Sequence, residues 1–240
     1  MPYSKEYFEL QSQFANKVSE VEGLDLAKAL LEYTSFYKTF RIAGWKFDPN
    51  NETWQEYLSS LSNSDFLQTT YQFYLDRLQG SQDEETSKRF GCFTYEVDEK
   101  VKSVSVHFRN TDDPEPGALS RERMKTRMQE LQDMFTEIKN LHPEVEEVNG
   151  WSWLYEVEAY TRLFPSEYIL SKKQIRNWFK STALWGQFLD SAGNVKPDLA
   201  HQFLVCISNK DKLDDLIDCF PLHLQEVSAP IDLFYEFYEI

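Results

Sequence analysis

The sequence has no long apolar run and comparatively few cations. No uncharged apolar stretch approaches the ~18–20 residues that a bilayer-spanning helix needs, and the amino-terminal MPYSKEYFELQ is polar, without the apolar region of a signal peptide. Lys and Arg number 25 against 40 Asp and Glu, so the formal net charge is -15 and the pI is ≈ 4.7. Phosphate affinity depends on clustered cations, and anionic membranes attract the same groups. We therefore expect neither a nucleic-acid nor a membrane partner.

Cysteine and histidine, the usual ligands of transition metals, are also scarce and scattered along the chain. Cys92, Cys206 and Cys219 are an odd number without paired spacing, which favours structural thiols in a reducing compartment. The four histidines are far apart and no CxxC or HExxH spacing occurs, so no transition-metal site is expected. Together with the polar amino terminus, these features predict a soluble, cytoplasmic protein.

What the sequence has in quantity is aromatic and aliphatic residues. Hydrophobic residues make up 41%, including Phe 18, Tyr 13 and Trp 6, which is enough for a packed core. The pattern predicts a helix-rich α+β fold with an N-terminal helical block packed on a small, mostly antiparallel sheet. We divide the chain into a helical subdomain (1–79), a linker or long loop (80–89) and an α+β subdomain (90–240). A single continuous domain over 1–240 is the alternative.

This division rests on changes in the spacing of hydrophobic residues along the chain. In the amino-terminal part of the chain, apolar residues recur at helical spacing, and Gly23 is placed to end the first helix. GSQDEETSKR, residues 80–89, has no apolar residue, and after it the period becomes two. The alternating residues predict an amphipathic hairpin: Phe93, Tyr95, Val97, Val104, Val106 and Phe108. Asn149-Gly150 is a strong signal for a second hairpin turn.

Cations are concentrated in one place, the start of the helix predicted after this hairpin. Arg121, Arg123, Lys125 and Arg127 follow the loop within HFRNTDDPEPGALSRERMKTR. Backbone N–H groups at a helix start, joined by arginines, form a natural anion site. We predict that Arg109, Ser120, Arg121 and Arg123 bind a phosphate or carboxylate. The alternative is that these arginines face water or pair with Glu122, Glu130 and other carboxylates.

The element order around this loop resembles the GCN5-related N-acetyltransferase arrangement. In that family the pyrophosphate of acetyl-coenzyme A rests on the loop and helix start after the central strand. The resemblance implies coenzyme A as a cofactor and an N-acyltransferase activity. The family's glycine-rich Q/R-x-x-G-x-G/A signature is absent, since the loop has Gly117 beside two prolines. The resemblance is therefore one of element order.

Further candidates flank the proposed anion site. Trp151, Trp153 and Tyr155 share one face of the strand predicted after Asn149-Gly150, as a stacking platform for a planar ligand or as core. His107 is the weak catalytic candidate, a general base beside Ser105 or else an exposed or structural histidine.

An acidic segment near the carboxyl terminus resembles a known metal motif. Asp214, Asp215 and Asp218 spell DDxxD, as in the magnesium–diphosphate motif of isoprenoid synthases. The second acidic motif of that family is not apparent. We interpret the Asp211–Asp218 face as the solvated side of an amphipathic helix, and predict no metal site.

These observations leave two hypotheses from different classes. The first is a small-molecule-binding protein with an anion site at the loop and helix start, in its most concrete form an acyl-coenzyme A-dependent N-acyltransferase. The second is a non-catalytic acidic interaction protein that binds a basic protein partner. The first predicts a cavity lined by Arg121 or Arg123 with His107 or an aromatic of the platform. The second predicts that those arginines extend into water and that an exposed apolar patch lies elsewhere.

Overall fold

The fold was analysed in a computed structural model that describes residues 2–42, 47–61, 65–80, 88–112, 115–175 and 182–240. Within these residues it has eleven helices and one five-stranded, mostly antiparallel sheet. The helix-rich α+β class predicted from the sequence is therefore confirmed. No helix among the described residues is long and apolar enough to cross a membrane.

The elements follow one another in the order α1–α5, β1, β2, α6, β3, α7, α8, β4, α9, α10, β5 and α11. The helices are α1 Lys5–Glu22, α2 Leu26–Tyr33, α3 Phe36–Thr39, α4 Glu52–Ser60, α5 Phe66–Gly80, α6 Met124–Leu141, α7 Glu158–Thr161, α8 Ser166–Leu170, α9 Pro197–Ser208, α10 Leu213–Ile217 and α11 Asp232–Phe237. The strands are β1 Phe93–Asp98, β2 Ser103–Phe108, β3 Glu147–Ser152, β4 Lys173–Gln174 and β5 Gln225–Pro230. The described residues also include 3-10 turns at Trp153–Glu156 and Thr182–Phe188.

Contacts divide the chain into two compact units. The first contains Met1–Asp83 and Arg176–Leu222, and the second contains Glu84–Ile175 and His223–Ile240. Residues 182–222, which the sequence-based division places in the second subdomain, belong to the first unit. The division into independently folding domains stays a prediction, and residues 81–87 of the proposed linker lie outside the described residues.

The first unit is a helical assembly with an aromatic core. Helix α1 buries Phe14 and Val18 along its apolar stripe, and Gly23 ends the helix in the left-handed conformation with φ 63°. A side chain is disfavoured in that conformation, which is why glycine terminates helices so often. The predicted helix end at Gly23 is confirmed.

Two of the three cysteines are joined across this unit. Cys206 of α9 and Cys219, which follows α10, form a disulfide, whereas Cys92 is a buried free thiol. The prediction of three reduced thiols is wrong for this pair. The two cysteines are 13 residues apart in sequence, and the turn between α9 and α10 brings their Cα atoms to 5.6 Å. Sequence spacing alone does not reveal that contact.

The second unit contains the sheet, in strand order β1-β2-β3-β5-β4. Strands β1 and β2 form the predicted antiparallel hairpin, with Phe93 opposite Phe108 and Val97 opposite Val104. Helix α6 then connects β2 to the parallel strand β3. Its apolar face, formed by Leu131, Met134, Phe135 and Ile138, lies in the core of this unit.

The predicted hairpin turn at Asn149-Gly150 is wrong. Strand β3 runs through both residues, and Gly150 pairs with Val227 of β5. A side chain at position 150 would overlap the hydroxyl groups of Tyr155 and Tyr168. Gly150 is therefore needed for close approach of these side chains to the strand, a role that the turn pattern does not distinguish from a turn.

Candidate functional site

The predicted anion site lies in the second unit, where the loop after β2 joins α6. Helix α6 begins at Met124 with Arg123 as its N-cap residue, and no side chain caps it. The Ser120 amide donates to the carbonyl of Gly117, within a turn of the loop. Ser120 and Arg121 therefore precede the helix and do not form its first turn.

Two of the arginines contact carboxylates of this chain. Arg123 Nη1 lies 3.0 Å from Asp112 Oδ2, and Arg127 Nη2 lies 3.0 Å from the same oxygen. Arg127 Nη2 also lies 3.0 Å from Glu130 Oε1, one helical turn further on. We call Asp112, Arg123, Arg127 and Glu130 the loop–helix cluster. It pairs two guanidinium groups with two carboxylates.

The loop–helix cluster also contacts backbone. Arg123 Nε donates to the carbonyl of Pro116 at 2.9 Å, and the Cys92 amide donates to Glu130 Oε2 at 3.2 Å. Burial raises the pKa of the Glu130 carboxyl, an effect that the Cys92 amide and Arg127 partly offset. The cluster therefore links the loop, the start of β1 and helix α6. These contacts give a structural role to arginines at a helix start that the sequence predicts to bind an anion.

Some polar atoms in this region are buried and have no hydrogen-bond partner among the described residues. They are Asp112 Oδ2, Ser120 Oγ, Arg127 Nε, Arg127 Nη1 and Arg162 Nε. Asp112 Oδ2 thus contacts the arginines by charge and lacks an aligned hydrogen bond. Arg162 Nη2 donates to the carbonyl of Leu119 at 2.7 Å. Unsatisfied buried donors are uncommon in folded proteins.

The other two arginines of the predicted anion site lie at the surface. Arg121 is exposed. Arg109 is exposed too, and its backbone amide donates to the carbonyl of Cys92 at 2.9 Å. Of the four predicted anion ligands, Arg123 is a member of the loop–helix cluster through its contact with Asp112.

The catalytic candidate His107 lies on β2, with Ser105 on the same face of the strand. Its Nε2 atom is 3.5 Å from Glu96 Oε2 on the neighbouring strand, and both side chains are about half exposed, at 47% and 59%. An acid–base role needs a substrate position beside the imidazole. His107 therefore stays a candidate general base because of its place on β2 beside Ser105 and Glu96.

The predicted aromatic platform is divided between two environments. Strand β3 ends at Ser152, whose Oγ accepts from the Leu154 amide at 3.1 Å and begins a 3-10 turn. The prediction that Trp151, Trp153 and Tyr155 share one strand face is therefore wrong. Trp151 is 46% exposed, and its indole N–H donates to Glu226 Oε1 at 3.1 Å. Tyr155 is buried.

Tyr155 belongs to a cluster of buried tyrosines. Its hydroxyl lies 2.9 Å from the hydroxyl of Tyr168, and the Tyr238 hydroxyl donates to the carbonyl of Leu163 at 2.7 Å. Burial raises the pKa of the Tyr155, Tyr160, Tyr168 and Tyr238 hydroxyls well above their ordinary value. These groups stay neutral and act in core packing.

An open groove, which no sequence pattern predicted, lies between α7–α8 and α11. Its volume is about 670 Å³. Its lining is formed by Thr161, Arg162, Phe164, Pro165, Ser166, Glu167, Ile169, Leu170, Leu233, Glu236 and Phe237. Leu170 is 82% exposed and Phe237 is 38% exposed. We call this feature the α8–α11 groove.

Helix α10 carries the acidic segment that resembles DDxxD. Asp214 and Asp215 lie in its first turn, while Leu216 and Ile217 are buried. The described residues contain no group of three or more His, Cys, Asp or Glu side chains placed to hold a metal ion. The helix is amphipathic, as the sequence predicts, with Asp214 exposed and Leu216 and Ile217 buried.

Comparisons with protein-family models, with curated protein sequences and with solved structures find no match.

Two features were missed in the sequence, and one of them had a detectable signal. Glu130 follows Arg127 by three residues, which is a favourable spacing for an ion pair on a helix. Asp112 lies 15 positions before Arg127, so its contact depends on how the loop folds. The α8–α11 groove is formed by segments more than 60 residues apart, so no local pattern in the sequence indicates it.

Proposed function

We propose that this protein is a non-catalytic, acidic interaction protein that binds a basic protein partner. The observation that carries the proposal is the acidic carboxyl-terminal surface. Asp232, Glu236 and Glu239 are exposed on and after α11, and residues 223–240 contain no Lys or Arg. Opposite charge accelerates association and selects among partners.

The loop–helix cluster weighs against the anion-binding alternative, although the interaction hypothesis predicts arginines extended into water. Arg123 and Arg127 already contact Asp112 and Glu130, so two of the chain's 25 cations are committed internally. An added phosphate would have to compete with these carboxylates. The exposed apolar side chains of the α8–α11 groove are the kind of patch that the interaction hypothesis predicts.

The proposal is tested by titrating the protein with two fluorescent peptides of equal length, one rich in Lys and one rich in Glu. We expect binding of the Lys-rich peptide alone, and we expect its affinity to fall as salt rises because exposed charges are screened. Equal binding of both peptides, or no binding of either at low salt, would contradict the proposal.

A second candidate function is the binding of an anionic small molecule at the loop and helix start, with coenzyme A as the concrete cofactor of an N-acyltransferase. The unsatisfied donors Ser120 Oγ, Arg127 Nη1 and Arg162 Nε favour it. Thermal shifts with coenzyme A, acetyl-coenzyme A, phosphate and diphosphate test it. A ligand at a hundred times its dissociation constant adds about 2.7 kcal/mol to stability. Stabilisation that Arg123→Gln abolishes would support this candidate over the first.

A cytoplasmic location belongs with these proposals and stays a prediction. The Cys206–Cys219 disulfide bears against it, because disulfides persist mainly in oxidising compartments. Alkylation of free thiols in freshly lysed cells tests the point. Alkylation of Cys206 and Cys219 in addition to Cys92 would show that the pair is reduced in the cell, which would favour the cytoplasm.

A further inference from the structure

We infer that the α8–α11 groove is the docking site of an amphipathic basic helix from the partner protein. This inference rests on the proposed function and adds to it a location and a kind of partner segment. The groove lies entirely within the second unit.

Apolar side chains form both the floor and the edge of the groove. Phe164 and Pro165 are buried at its base, and Ile169 and Leu233 are partly buried beside them. Leu170 and Phe237 stand at the edge with 82% and 38% of their surface in water. Covering these two side chains removes apolar area from water, which is the main favourable contribution to helix-in-groove recognition.

The charges beside the groove select a basic segment. Glu167 and Glu236 lie in its lining and are exposed. Hydrogen bonds from its own backbone amide and from Ser166 lower the pKa of the Glu167 carboxyl, which favours its charged form. Among the described residues of the lining the cation is Arg162, whose Nη2 donates to the carbonyl of Leu119. Lys or Arg flanking the apolar stripe of a docked helix would meet the two carboxylates.

The openness of the groove favours a helix over a small ligand. It is open to solvent and has exposed apolar residues from α8 and α11 in its lining, whereas small-molecule sites enclose most of the ligand surface. A helix with apolar residues at positions i, i+3, i+4 and i+7 presents one stripe to such a groove. Charged residues beside that stripe remain at the edge, where Glu167 and Glu236 lie.

The probe is a peptide of about 18 residues, five helical turns, with Leu in an amphipathic stripe and Lys elsewhere. A scrambled peptide of the same composition lacks the stripe and serves as the control ligand. The test variant is Leu170→Ser with Phe237→Ser. The control variant is Leu141→Ser, which changes a leucine that is 63% exposed in α6, outside the groove. All variants keep the full chain.

We expect the test variant to bind the amphipathic peptide at least about tenfold more weakly than the native protein. The control variant should stay within about twofold. Equal weakening by both variants, or none by the test variant, would overturn the inference. Because Leu170 is largely exposed, Leu170→Ser alone gives the same test if the double variant folds poorly.

Other outcomes separate the inference from the proposed function. If the scrambled peptide binds the native protein as tightly as the amphipathic one, basic binding stands and the groove inference fails. If neither Lys-rich peptide binds, the proposed function fails as well. A concentration-dependent dimer of the native protein, abolished by Leu170→Ser, would make a second copy of this chain the occupant and overturn the choice of a partner helix.

Discussion

The Arg127 guanidinium is 99% buried and lies 3.0 Å from Asp112, a residue of the loop that precedes its helix. This pair connects the loop after β2 to α6, and Arg123 contacts the same carboxylate oxygen. A buried arginine with its own carboxylates differs from an arginine presented to a ligand. The contribution of this pair to the fold can be measured through stability.

Asp112→Asn removes the charge that Arg123 and Arg127 share. We expect the free energy of unfolding to fall by about 1–3 kcal/mol, because a buried guanidinium loses part of its compensation. Urea denaturation measures the change. Glu122→Gln, which removes an exposed charge from the same loop, is the control and should change stability little. A loss no larger than the control's would show that the pair has no structural role.

Gly150→Ala tests the packing of β3 against the buried tyrosines. The added methyl group meets the Tyr155 and Tyr168 hydroxyls, so we expect a loss of about 1–3 kcal/mol from overpacking. In a Tyr155→Phe background the same substitution should cost less, since the nearest oxygen is gone. A double-mutant cycle from denaturant unfolding measures this coupling. Additive losses would contradict the contact.

Glu130 gives a pH dependence whose sign follows from its surroundings. Burial raises the pKa of its carboxyl above the ordinary 4.5. The contribution of this group to stability is therefore fully present below its unfolded-state pKa and is lost as pH rises through the higher folded-state value. We expect the difference in unfolding free energy, native minus Glu130→Gln, to decrease from acidic pH towards neutrality. A difference that increases over this range would contradict the assignment.

The Cys206–Cys219 disulfide closes a loop of 13 residues in the first unit. Its removal by Cys206→Ser with Cys219→Ser should lower stability by about 2–4 kcal/mol, because the unfolded chain regains conformational freedom. Reducing agent should destabilise the native protein and leave the double variant unchanged. Equal stability of the native protein with and without reductant would show that the bond does not contribute.

Local patterns predicted the parts of the fold that depend on neighbouring residues. Alternation at Phe93–Val97 and Val104–Phe108 predicted the β1–β2 hairpin because a strand's faces follow directly from its sequence. Gly23 predicted a helix end for the same reason. At Gly150 the local turn signal failed, because tyrosines from later elements determine why glycine is needed there.

The candidate sites depend more on distant contacts. The sequence identified Arg123 and Arg127 as a local concentration of cations, but the partner Asp112 becomes a neighbour only when the loop folds back. The α8–α11 groove requires Leu170 and Phe237 to lie near each other, although they are 67 positions apart. Neither residue is unusual in its own segment, so no pattern marked the pair.

The most direct test of the central claim is the affinity of the Lys-rich amphipathic peptide for two charge variants. Glu236→Gln with Glu239→Gln removes two charges from the acidic carboxyl-terminal surface, and Asp211→Asn with Asp214→Asn removes two exposed charges near α10. The account predicts that the first variant binds the peptide more weakly at low salt and that the second binds as the native protein does. Unchanged binding by the first variant, or equal weakening in both, would contradict it.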